Sequence, residues 1–166
     1  DPLYEARRDN NAGVRALAAI ALAYLGDSRA VECLIDTLDT GGEISIKLLG
    51  MLGGSEAVRP LIGILEKSYH AKSDASIIAA AEALGTIGDK QAIQPLINAQ
   101  TVCNAPARPA IFKALTAFGA SAVAPLVEQL AKGWAITDDW QSMREPLEGA
   151  FLALGVPARE ALVESL

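Results

Sequence analysis

The sequence predicts an all-α fold, a right-handed α-solenoid of about five helix pairs, and three observations carry that expectation. One phrase recurs five times: an Ala-rich amphipathic run, a glycine, a short polar turn and a second apolar run. The glycines that mark it, Gly26, Gly53, Gly88, Gly119 and Gly155, are spaced 27, 35, 31 and 36 residues apart, a period typical of stacked helix pairs. Apolar residues recur at three- and four-residue spacing and nowhere alternate as in a strand. The 166 residues are 51% hydrophobic and 20% charged, a composition that can bury a core and excludes a disordered spacer.

Each element has its own local signals. Residues 1–8, polar apart from Leu3 and Tyr4, look like the remnant of a helix capping the first unit. Units are expected at about 9–39, 40–67, 68–100, 101–130 and 131–166, in a single domain. In the first, Val14, Ala18, Ala21, Leu22 and Leu25 share one helical face. Gly26 then stops the helix where positive φ is cheap, and Asp27 caps the start of the next helix. Val31, Leu34, Ile35 and Leu38 form the stripe of that second helix. Unit two opens on Gly41-Gly42 with a short first helix. Pro60, Pro95 and Pro125 fall in the first turn of later second helices, where a missing N–H is tolerated. Pro106, Pro109 and Pro146 fall near the starts of first helices in units four and five.

These residues resemble the HEAT-like repeats of the phycobilin-lyase (PBS lyase) type. The resemblance runs in unit one through Asn11, Val14, Arg15, Ala18, Ala19, Ala21, Leu22, Leu25, Gly26, Asp27, Ala30, Val31 and Leu34. In unit three it runs through Asp74, Ala80, Ala81, Ala83, Leu84, Gly85, Ile87, Gly88, Asp89, Ala92, Ile93, Pro95 and Leu96. The match covers about residues 9–166 and is made of packing positions, so it implies a fold more than an activity. It implies that the first helices line a concave side and the second helices a convex one. It also allows a subunit of a bilin-chromophore lyase or a phycobilisome-degradation factor.

Function is then expected at positions outside the packing motif. Aligning units on the glycine places Leu17, Ile44, Ala79, Ala110 and Pro146 in one concave row. A second holds Ile20, Lys47, Glu82, Lys113 and Gly149, and a third Tyr24, Met51, Thr86, Ala117 and Ala153. Apolar Leu17, Ile20, Tyr24, Ile44 and Met51 gather at the N-terminal end, as at a partner site, unless curvature or a further unit covers them. Two longer linkers add candidates. Residues 67–74 hold Tyr69 and the only histidine, His70; residues 132–142 hold Trp134, Asp138, Asp139 and Trp140. That second loop either clamps a peptide or folds back to cap the core. The C-terminal stripe Leu162, Val163, Leu166 is expected to be covered by a further segment, a second copy or this loop, so a homo-oligomer through a terminal repeat is one expectation.

Chemistry finds little support. His70 has no ligand-spaced His or Cys, and the following Ala71 departs from the His-Glu pairs of HEAT-like di-iron hydroxylases. There is no phosphate loop and no nucleophile elbow. No catalytic residue, metal or cofactor is expected. Arg15, Arg108 and Arg144 share one column suited to bonding a loop carbonyl or carboxylate. The net charge of −6 argues against nucleic acid, including the mode of HEAT-like DNA glycosylases. The longest apolar stretch, Ala16 to Gly26, is too short to span a bilayer. Asp1 opens a charged segment without a signal peptide or an initiator methionine, as in a processed or excised chain. Two cysteines suit a reduced, cytoplasmic setting. The function these readings favour is a noncatalytic protein-interaction scaffold that grips another protein on its concave face or loop edge.

Overall fold

In the computed structural model, residues 1–71, 73–103 and 106–129 are described. Among them lie nine α-helices and three 3₁₀ turns, with no strand. A short α1 (Pro2–Glu5) and the turn Ala6–Arg8 lead into α2 (Ala12–Tyr24). Next come α3 (Ala30–Asp36), α4 (Leu38–Leu52), α5 (Ser55–Ala71) and α6 (Asp74–Ile87). The described chain ends with α7 (Ile93–Val102), α8 (Arg108–Ala117) and α9 (Val123–Gln129). The fold is the expected all-α solenoid. Helices α2, α4, α6 and α8 pack side by side in one layer, and α3, α5, α7 and α9 form the other.

Local signals start and stop these helices. Asn11 Oδ1 accepts from the Gly13 N–H at 2.9 Å and caps α2. At its other end Asp27 N–H donates to the Leu22 carbonyl and Gly26 N–H to that of Ala23. With Gly26 at φ 71° this is a Schellman turn. Asp27 then accepts from the Arg29 N–H, as Asp89 does from that of Gln91. Gly53 departs from the pattern at φ −75°. It is a glycine for want of room, because a Cβ there would lie 2.5 Å from the Leu49 carbonyl oxygen.

Other departures have equally physical causes. Gly42, at φ 61°, kinks α4, so Leu38 belongs to the short leading segment and not to α3. Val14 and Leu25 are exposed, whereas Ala16, Ala19, Leu22 and Ala23 are buried. The buried stripe of α2 is therefore rotated toward α3 and α4. Pro60 lies in the second turn of α5, because that helix already starts at Ser55. Residues 67–71 are not linker but the end of α5, in a stretch with no Gly or Pro to stop a helix.

The core runs through both layers, with Leu22, Leu34, Leu49, Leu61, Leu84, Leu96, Ile111 and Leu126 fully buried. Helices of the first layer approach closest where side chains vanish. A Cβ on Gly50 would lie 2.6 Å from Ala83 Cα, and one on Gly85 would lie 2.9 Å from Ala114 Cα. These close approaches lie in the first layer, as the inner side of an arc of stacked helix pairs requires.

Candidate functional site

The inner face divides in two. On α2 and α4 the side chains outside the packing motif are large and apolar: Leu17 is 68% exposed, Tyr24 75%, Ile44 54% and Met51 75%. Ile20, between them, is half-buried against the core. On α6 and α8 the matching places hold small or polar residues. There Gly85, Thr86, Ala110, Lys113, Ala114, Ala117 and Glu82 line a groove of about 500 Å³. A smaller groove between α4 and α6 is lined by Lys47, Gly50, Met51, Glu82, Ala83 and Thr86. Glu82 and Thr86 border both, so the two grooves lie side by side on either flank of α6.

Lys47, Glu82 and Lys113 stand in one row across these grooves, all exposed, six residues before the glycine of their units. Among the described residues none has an opposite charge within ion-pair distance. Some exposed charges elsewhere are paired, with Lys67 Nζ 2.9 Å from Asp39 and Arg29 2.6 Å from Asp27.

Sequence reasoning missed Leu25 and Leu52, which extend the apolar patch past Tyr24 and Met51 at 73% and 44% exposure. Their signal was present: each directly precedes the helix-ending glycine, where the chain turns away. Tyr69 and His70 fall on the last turn of α5, in the outer layer. Trp134, Asp138, Asp139 and Trp140 lie outside the described residues, as do Arg144, Pro146 and the Leu162–Leu166 stripe.

The remaining polar clusters have structural work. Tyr4 is sandwiched between the guanidinium groups of Arg7 at 4.5 Å and Arg29 at 4.3 Å. Arg29 also binds Asp1 and Asp27, and its hydrogen bond holds the Asp27 carboxyl down to about 2. These contacts tie the N-terminal turn to the first inter-helix turn. Arg15 donates to the carbonyls of Asp9 and Asn10, the loop role its column suggested. Cys33 and Cys103 are free thiols, both buried, and burial pushes both thiols up from their ordinary value. Arg108 beside Cys103 opposes that shift without reversing it. Such thiols are poor nucleophiles at neutral pH. Among the described residues no group of three His, Cys, Asp or Glu could hold a metal ion. No described helix is long and apolar enough to cross a membrane.

Comparison with known proteins adds the family. No curated protein matches the chain. A family model described as PBS lyase HEAT-like repeat matches residues 14–40 and again residues 78–101. The first match runs from α2 through α3, and the second joins α6 to α7, so each spans one helix pair with its glycine turn. The chain is thus a helical repeat protein, two of whose helix pairs match a PBS lyase HEAT-like repeat.

Proposed function

We propose that this protein is a noncatalytic scaffold that holds a protein partner on the inner face formed by α2, α4, α6 and α8. The observation that carries the reading is a distribution. Among the residues whose side chains are described, the large exposed hydrophobic ones sit on α2 or α4 or at the end of α2: Val14, Leu17, Tyr24, Leu25, Ile44, Met51 and Leu52. Single exposed apolar side chains are ordinary on a monomer, but a contiguous group on one face marks a contact surface. Tyr and Met suit such a surface, one rigid and amphipathic, the other adaptable.

Affinity capture from the source organism tests this with three baits. The wild-type chain and an Arg59→Glu variant, altered on exposed α5 surface, should retain the same protein. A Leu17→Asp/Met51→Asp variant should lose it. Capture unchanged by the double variant overturns the reading. A shift in the visible absorption of a linear tetrapyrrole on mixing would instead favour a bilin-lyase subunit.

A further inference from the structure

We infer that the inner face selects an extended peptide segment by charge order: apolar side chains over α2 and α4, then an acidic, a basic and an acidic group across α4, α6 and α8. The inference rests on the docking reading above and deepens it.

Its basis is the row Lys47, Glu82, Lys113. These three charges alternate in sign, one per helix, at equivalent positions. They are exposed and, among the described residues, have no ion-pair partner. Neighbouring helices lie ~8–10 Å apart, about a Debye length in physiological salt, so the three gain little from one another and keep their charge for a partner. Space is available beside them. The grooves next to Glu82 are lined by Gly50 and Ala83 on one side and by Gly85 and Ala114 on the other, residues with little or no side chain to fill them. A partner cation entering between α4 and α8 meets Glu82, and its neighbours to either side meet a lysine.

The same row disfavours other ligands. A uniformly acidic segment, or a polyanion, meets Glu82 as a like charge, and a uniformly basic one meets both lysines. A bound segment in the polyproline II conformation rises ~3.1 Å per residue with about three residues per turn, so charges one helix apart fall at every third residue and leave the segment on the same side. Exposed Ile44 and Met51 stand one turn to either side of Lys47 on α4, where the apolar end of the segment is seated.

A phage-displayed library of random dodecapeptides tests the order directly, panned on the wild-type chain and on a Lys47→Glu/Glu82→Lys/Lys113→Glu variant. Wild type should enrich peptides with an apolar pair at one end and acidic, basic and acidic residues at three-residue steps. The reversed variant should keep the apolar pair and enrich the opposite order. Wild-type peptides, synthesised, should bind the reversed variant about tenfold or more weakly. All substituted side chains are exposed, and far-UV circular dichroism checks that each variant keeps its helices. One consensus on both proteins overturns the charge order. In that case, loss of those peptides with Leu17→Asp/Met51→Asp leaves the docking reading standing. Peptides that bind all three proteins alike overturn both. Absence of enrichment on wild type overturns the charge order.

Discussion

The two ends of the inner face share one register and present opposite surfaces. Nine residues before the motif glycine stand Leu17 and Ile44 on α2 and α4, but Ala79 and Ala110 on α6 and α8. Two residues before it stand Tyr24 and Met51 at one end, Thr86 and Ala117 at the other. Leu17 is 68% exposed, whereas its counterpart Ala79 is 1% exposed. Register sets the direction in which a side chain leaves its helix, and the distance to the next helix decides whether it is covered. Helix α6 is flanked closely on both sides, with Gly50 facing Ala83 and Gly85 facing Ala114. Among the described residues, helix α2 has an inner-layer neighbour, α4, on one side only. The repeat thus keeps its packing positions while its surface positions are free to diverge, apolar at one end and charged at the other.

The largest expected effect asks whether the two ends are equal inside. Leu22 and Leu84 occupy the same place in their units and are both fully buried. Leu22→Ala and Leu84→Ala should each cost about 2–5 kcal/mol in urea unfolding. A loss below about 0.5 kcal/mol at both, the range of surface substitutions, would put the assigned stripe out of register.

Glycine spacing comes next. Gly50→Ala drives a Cβ into Ala83 at 2.5–2.6 Å, an overpacking cost at the upper end of about 1–3 kcal/mol. Improved helix propensity returns about 1 kcal/mol, leaving a net loss of about 1–2 kcal/mol. Gly63→Ala in α5 meets nothing within 4 Å and should stabilise by about 0.5–1 kcal/mol. Thermal melts of the pair should move in opposite directions. A rise for both would remove the close approach of α4 and α6 as the origin of the difference between the ends.

A third experiment probes the tether at the apolar end by pH. Arg29 lowers the Asp27 carboxyl from 3.8 to about 2. Its contribution to stability is therefore full above about pH 4 and is lost as pH falls through about 2. Asp27→Asn should flatten the acid limb of the stability profile in that window and leave its slope at neutral pH unchanged. An identical acid limb in the variant would mean that the Arg29 contact contributes nothing in solution. The smallest effect is expected at Leu17→Ala, within about 0.5 kcal/mol, because the side chain is already in water. A loss of core size there would show that the apolar patch is packed and not available to a partner.

What the sequence alone determined is the set of features written in short-range signals. The helix-pair period, the Schellman stop at Gly26, and the caps at Asn11, Asp27 and Asp89 depend on residues within a few positions of one another. Equivalence of position was also legible, since register relative to the glycine sets the direction in which a side chain leaves its helix. Tertiary structure alone decided coverage. It left Val14 and Leu25 in water although both fit a helical stripe, buried Ala79 where its counterpart Leu17 is exposed, and made Gly53 a glycine for lack of space. It also set Lys47, Glu82 and Lys113 along two adjoining grooves, through glycines that only matter once a neighbouring helix lies against them. Burial is a relation between helices. It depends on how closely they approach, and that distance is set by pairs such as Gly50 and Ala83, which lie 33 residues apart in the chain.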